Sequence, residues 1–143
     1  MGLYVKKLNA AVLVIGMMLV MVIPSEDIVE SGDESELDIK VMFAHPFEGV
    51  SMNMDKPVVF GLMTKGKKVD LRDSLKRYQY KLYSDEEEYK GWRTHYSIKE
   101  PGDHIFFVET QPYWESAEDC YIIHYTKVVV DAYGMQTGWD TEV

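Results

Sequence analysis

Cysteine is almost absent from this sequence, with Cys120 the only one among 143 residues. A single cysteine excludes an internal disulfide, so the hydrophobic core alone has to stabilise the fold. A lipoprotein would carry its cysteine directly after an export signal, and none stands there. Cys120 lies in the strand-like stretch EDCYIIHY, where a buried structural thiol is the expected role.

The motifs of the common enzyme classes are also missing. The sequence contains no GxGxxG or GxxxxGK[ST] phosphate loop, no GxSxG nucleophile elbow and no HxH or HExxH metal motif. Cys120 and His124 are four residues apart in a predicted strand, about 13 Å at roughly 3.3 Å per residue, which is too far for proton transfer. A metal-dependent hydrolase needs an open coordination position and a general base in a cleft, and the sequence indicates neither. We therefore predict a protein that is not an enzyme.

Basic residues are in the minority. The chain has 15 Lys+Arg against 24 Asp+Glu, a formal net charge of −9. Lys6 and Lys7 are the only charged side chains before Glu26, so the remainder carries 13 basic and 24 acidic residues, a net charge of −11. Such a domain repels phosphate backbones, which argues against a nucleic-acid partner. Acidity also suits cation binding, although solubility is the commoner reason for it.

Charge is absent altogether from Leu8–Ser25. Two lysines followed by an apolar stretch are typical of a secretory signal, and the run is only slightly short of the about 20 residues that a membrane anchor needs. No small-x-small cleavage site ends the run. We predict that residues 1–22 are a signal peptide or membrane anchor and that 23–143 form an exported domain.

Short apolar stretches separated by turn residues fill the rest of the chain. Apolar side chains recur at every second position from Leu37 to Phe43, the period of a half-buried strand. Further strands are expected in 58–64, 92–99, 104–110 and 120–133, with hairpin or turn residues at 65–67 and 100–103. The acidic run Asp85–Glu88 is expected to be a solvated surface. This spacing predicts an all-β, antiparallel, Ig-like β-sandwich.

Histidines are the residues most suited to a site, and they are His45, His95, His104 and His124. His45 and Glu48 stand where a strand ends, in HPFEG, and His124 lies in the apolar run IIHYT. Each imidazole is either hydrogen-bonded within the fold or a metal ligand, and the residues leave both open. His95 and His104 are expected at the surface. The segment PYWE (112–115) is either a recognition surface or a packed corner.

Several segments together resemble exported bacterial proteins of a nickel-uptake transporter family. They are IPSEDIVESGD (23–33), MFAHPFEG (42–49), Met52 and Met54 before KPVVFGL, KEPGDHIFFVETQPYWESAEDCYIIHYTKVVV (99–130) and GWDTEV (138–143). The resemblance implies a periplasmic β-sandwich that accompanies transition-metal uptake. Family members typically place a histidine before the IPS-like strand, where this chain has the apolar Leu19–Met21, and continue into a second domain where this chain stops.

The function predicted from residues and resemblance together is an exported accessory protein that binds or delivers a divalent transition metal, nickel first. Its partners would be components of a membrane uptake transporter, and only the N-terminal segment would contact the membrane. The expected ligands are His45 and Glu48 from the strand-end loop and His124 from the long strand, with Glu118 or Glu109 as a further carboxylate. The alternative is a metal-independent periplasmic interaction module that uses a surface rich in tyrosine and tryptophan.

Overall fold

The structure is a computed structural model that describes residues 18–30, 36–116 and 118–134. Within these ranges the chain forms twelve strands, one 3₁₀ turn and no α-helix. The strands are β1 (Leu19–Pro24), β2 (Ile28–Val29), β3 (Glu36–His45), β4 (Val50–Met52), β5 (Val59–Thr64), β6 (Lys67–Asp70), β7 (Lys76–Tyr80), β8 (Tyr89–Ser97), β9 (Gly102–Glu109), β10 (Tyr113–Glu115), β11 (Cys120–Ile122) and β12 (Tyr125–Ala132); the 3₁₀ turn is Arg72–Ser74.

Two sheets pack face to face. The first has the order β1-β3-β8-β7, with β4 also paired to β3, and the second has the order β2-β12-β9-β5-β6. Strands β10 and β11 form a separate hairpin. All described pairs are antiparallel except β2 with β12. The all-β sandwich predicted from the sequence is confirmed.

The core lies between the sheets and is built from alternating side chains. From the first sheet, Leu37, Ile39, Val41 and Phe43 of β3 are at most 4% exposed. From the second sheet come Phe60 and Leu62 of β5, Phe106 and Val108 of β9, and Val130 and Ala132 of β12. Successive side chains of a strand point to opposite faces, so the period of two seen in the sequence directly fills one face of each sheet. The intervening residues face outward.

The end of the apolar N-terminal run forms strand β1. It pairs with β3 along its whole length, from Leu19 opposite Ala44 to Pro24 opposite Ile39. Four residues of the predicted segment 1–22 therefore belong to the sandwich, while residues 1–17 lie outside the described ranges. The assignment of a signal or anchor stays a prediction. None of the described residues forms a helix long and apolar enough to span a membrane.

The apolar run 120–133 is not one strand. It is interrupted at Ile123 and His124, which separate β11 from β12. The exposed Cys120 begins β11 in the hairpin, so the predicted buried thiol is wrong. The hairpin stands apart from both sheets, and for this reason its cysteine does not reach the core.

Asp85 also differs from the prediction of a solvated acidic run. Its side chain is 9% exposed, and its two carboxylate oxygens accept hydrogen bonds from the backbone N–H groups of Ser51 (2.7 Å) and Leu82 (2.8 Å). Burial raises the pKa of Asp85, but the hydrogen bonds outweigh burial and leave the pKa below its ordinary value. Asp85 thus connects β4 to the loop after β7.

Candidate functional site

The segment HPFEG forms a closed corner between β3 and β4. The N–H of Gly49 donates to the carbonyl of His45 at 2.9 Å, and Gly49 has φ +66°, a conformation that suits glycine. The hydroxyl of Tyr83 donates to the carbonyl of Phe47 at 2.6 Å, and the N–H of Ser84 donates to the carbonyl of Gly49. The corner is held by its own backbone and by the loop after β7. Phe47 itself is 80% exposed at the tip.

His45 is the buried polar residue of this corner, only 1% exposed. Its Nδ1 accepts a hydrogen bond from the N–H of Glu48 at 3.0 Å, so the neutral ring carries its proton on Nε2. Nε2 has no hydrogen-bond partner in the described part of the chain, and the carboxylate oxygen Oε1 of Glu48 lies 3.9 Å from it. The corner therefore contains a buried, unsatisfied imidazole nitrogen that faces a carboxylate.

His124 lies in the break between β11 and β12, and it is half-buried. Its ring packs edge-on against Phe43 at 5.1 Å and Tyr113 at 6.5 Å, and burial lowers its pKa. Phe43 precedes His45 by two residues and shares its face of β3. His45 and His124 therefore lie near the same end of the sandwich, since one follows Phe43 on β3 and the other packs against Phe43.

The two predicted carboxylates lie elsewhere. Glu109 is the cross-strand partner of both Val59 and Tyr125, and it alternates with the core residue Val108, so it faces outward from the second sheet. Glu118 is exposed in the turn of the β10–β11 hairpin. Of the five predicted ligands, the structure brings His45 and Glu48 within 4 Å of each other. Across 18–30, 36–116 and 118–134, no group of three or more His, Cys, Asp or Glu is placed to hold a metal ion.

The other two histidines differ in exposure. His95 is exposed, as predicted. His104 is 1% exposed, so its predicted surface position is wrong. Gly102 begins β9, which places His104 in phase with the core residues Phe106 and Val108 and turns its ring between the sheets.

An aromatic surface lies on the hairpin. Trp114 of β10 pairs with Tyr121 of β11, their rings meet edge-to-face at 5.1 Å, and they are 53% and 68% exposed. Tyr125, at the start of β12, is 71% exposed. Tyr113 faces the other way, stacks on Phe43 at 5.1 Å and accepts a hydrogen bond from the N–H of Asp55. PYWE is therefore both a packed corner, through Tyr113, and an exposed surface, through Trp114.

A comparison with known families identifies the domain but assigns it no function. The profile of DUF4198, a domain of unknown function, matches residues 19–143. The chain belongs to the DUF4198 family. The match to DUF4198 begins at Leu19, the first residue of β1, and includes the HPFEG corner and the aromatic hairpin. No curated protein and no solved structure matches the chain.

Proposed function

We propose that this DUF4198 domain is an exported, non-enzymatic accessory protein that binds a divalent transition metal, nickel first, as cargo for a membrane uptake system. The observation that carries the proposal is the buried Nε2 of His45, which lacks a hydrogen-bond partner in the described ranges and faces the Glu48 carboxylate at 3.9 Å. A buried polar group left unsatisfied costs about 1–3 kcal/mol and needs a physical explanation. An ion between the two side chains provides one.

The donor types and their spacing suit such an ion. Imidazole is a preferred ligand of nickel, copper and zinc, and carboxylate oxygen completes many of their sites. Two ligands at about 2.1 Å from one metal are roughly 3.0–3.4 Å apart. The Glu48 side chain is 59% exposed, so it can move the remaining half ångström or so without disturbing the core. Water would supply the other ligands.

Metal binding has a definite cost at this corner. In the described geometry the proton of His45 is on Nε2, because Nδ1 accepts the Glu48 N–H. A metal at Nε2 displaces that proton, and the ring then has to protonate Nδ1 and release the Glu48 amide. Binding therefore moves the proton from one ring nitrogen to the other with no net release, and it should disturb the Glu48 backbone N–H.

Calorimetric titration of the protein with Ni²⁺, Co²⁺, Zn²⁺ and Cu²⁺ tests the proposal. We expect micromolar or tighter binding, a loss of at least about tenfold in His45→Ala, and a smaller loss in Glu48→Gln, which keeps the backbone amide. His124→Ala shows whether the second imidazole contributes. NMR spectra should show the Glu48 amide among the largest shifts. Binding that is absent, or unchanged in His45→Ala, would refute a metal site at HPFEG.

The export, the transporter partners and the nickel preference depend on the resemblance of HPFEG and the PGD–PYWE–IIHYTKV block to the uptake family. Periplasmic location follows from the predicted N-terminal signal or anchor, which would also provide the membrane contact.

A second function is favoured by the exposed hairpin pair Trp114 and Tyr121. Exposed aromatic side chains supply large contact areas at interfaces, and the domain would then recognise a periplasmic partner without metal. We expect cross-linking in intact cells to capture a complex that survives a chelator and falls at least about fivefold in Trp114→Ser combined with Tyr121→Ser. Phe47→Ser, which removes an even more exposed aromatic at the corner, is the matched control. An equal loss of the complex in the double variant and in Phe47→Ser would exclude the β10–β11 hairpin as a specific surface.

A further inference from the structure

A small cavity lies at the end of the sandwich opposite the HPFEG corner. It has a volume of about 230 Å³ and is bounded by the β5–β6 hairpin and the loop between β8 and β9. In the first sheet, β3 runs from Leu37, which pairs with Tyr96, to His45 at its far end. Tyr96 lines the cavity, so cavity and corner occupy opposite ends of the same strands. Neither the proposed metal site at HPFEG nor the aromatic surface of the β10–β11 hairpin involves this cavity.

Positive charge is concentrated here in an otherwise acidic protein. Three lysines line the cavity: Lys65 and Lys67 from the hairpin and Lys99 from the opposite loop. One carboxylate, Glu100, joins them and pairs with Lys65 at 2.9 Å. The cavity therefore has a local excess of positive charge, whereas the chain has a formal net charge of −9. A negatively charged ligand is attracted to this end of the protein and repelled by most of the remaining surface.

The turn between β5 and β6 places one of these lysines, Lys65, in an unfavourable backbone conformation. Lys65 has φ +48° and Gly66 has φ +72°, the left-handed pair that a two-residue hairpin turn requires. Asparagine, aspartate or glycine is the usual residue at the first of these positions, because these residues tolerate the left-handed conformation and most other side chains are strained in it. A lysine at that position is consistent with a use for its charge.

Two buried polar groups face the same cavity. The hydroxyl of Thr64 is buried and has no hydrogen-bond partner in the described ranges. His104 is 1% exposed, and its Nδ1 lies 2.9 Å from the carbonyl of Gly102. That contact places the ring proton on Nδ1 and leaves Nε2 as an acceptor. The cavity thus offers cationic donors, an unused hydroxyl and one buried acceptor.

We propose that this cavity is a binding site for a small phosphate, either inorganic phosphate or a small phosphate monoester. Lys67 and Lys99 neutralise its charge, the hydroxyl of Thr64 donates to one of its oxygens, and the P–O–H group of the protonated anion donates to Nε2 of His104. The volume is smaller than the 300 Å³ or more of a drug-sized pocket, so it suits a ligand of a few heavy atoms.

The arrangement makes binding depend on pH. Burial lowers the pKa of His104, so the ring is neutral near pH 7 and the ligand has to bring the proton. The second pKa of a phosphate monoester is about 6, so the protonated form disappears as pH rises above 7. The charged groups around the ring are Glu100, Lys65, Lys67, Lys99 and Asp103. The hydrogen bond from Lys65 lowers the pKa of Glu100, and burial raises the pKa of Tyr96, so both shifts lead away from this pH range. Affinity should therefore fall between pH 6 and pH 8.

Calorimetry of the protein with inorganic phosphate, glycerol phosphate and sulfate tests the site. Neighbouring residues of β6 provide the matched pair, because Lys67 lines the cavity whereas Lys68 lies over Phe107 on the opposite face. We expect Lys67→Gln to weaken phosphate binding at least about fivefold and Lys68→Gln to change it less than twofold. Inorganic phosphate binding more tightly than glycerol phosphate would identify the free anion, and the reverse would identify the ester.

Sulfate is the decisive anion, since it has a similar size and shape but no proton at this pH. We expect it to bind at least about fivefold more weakly than phosphate at pH 6, and we expect His104→Gln to reduce that preference. No phosphate binding at millimolar concentration, or equal losses in Lys67→Gln and Lys68→Gln, would overturn the site. Equal affinity for sulfate and phosphate would overturn the role assigned to His104.

Discussion

Replacing Phe106 by alanine is expected to lower the free energy of unfolding by about 3–5 kcal/mol. The side chain is 0% exposed at the centre of β9, where it packs edge-on against Tyr96 of the other sheet at 5.6 Å. Its neighbours across the second sheet, Leu62 and Val128, belong to paired strands that cannot close over the space left by the ring. Urea unfolding followed by tryptophan fluorescence measures the loss.

Phe47→Ala is the matched control for Phe106→Ala, because the same side chain is removed from a position that is 80% exposed. We expect the free energy of unfolding of Phe47→Ala to differ from that of wild type by less than about 0.5 kcal/mol. If Phe106→Ala does not fold, Phe106→Leu keeps most of the volume and should show an intermediate loss. Similar stabilities for Phe106→Ala and Phe47→Ala would contradict the position of the core between the sheets.

The local periodicity of the sequence predicts the strands of the core but not their breaks. Leu37 to Phe43 alternate because one face of β3 is buried along its length, a property that depends on neighbouring residues only. Ile123 and His124 continue an apolar run yet form no strand. The backbone of His124 bonds to Thr110 rather than to a sheet partner. That contact joins residues 14 apart in sequence, and no local pattern reports it.

The candidate sites depend even more on long-range placement. The sequence singles out His45 and Glu48 as a pair because they are three residues apart in a turn, and the structure brings them together. It cannot show that Glu109 faces outward from the second sheet, since that depends on which face of β9 packs against the first sheet. The turn residues before His104 predict an exposed strand start, whereas β9 begins at Gly102 and buries the ring. Buried polar groups such as Asp85 and Tyr80 are missed for the same reason.

Removing one oxygen atom, in Tyr80→Phe, is expected to destabilise the protein by about 1–3 kcal/mol. The Tyr80 side chain is 6% exposed, and its hydroxyl oxygen lies 2.7 Å from the carbonyl of Met52 and 2.8 Å from that of Phe43. It also accepts the N–H of Phe43 at 3.2 Å. One hydroxyl therefore ties β7 to β3 and β4. Tyr78→Phe, which alters the ring stacked on Tyr80 at 6.3 Å, should change stability by less than about 0.5 kcal/mol.

The same hydroxyl should make the protein unstable in alkali. Burial raises the pKa of Tyr80 from 10.0 to about 12, so above pH 10 the unfolded chain loses the proton before the folded protein does. The unfolded state then binds fewer protons, and stability falls as pH rises from about 10 to about 12, by on the order of 2–3 kcal/mol. Burial also raises the pKa values of Tyr96 and Tyr113, so the contribution of Tyr80 is the difference between wild type and Tyr80→Phe. Unfolding curves at pH 8, 10 and 11 should converge for these two proteins as pH rises, because wild type loses stability that the variant already lacks. Parallel pH profiles would show that the Tyr80 hydroxyl is not held as a neutral, buried hydrogen-bond donor between the strands.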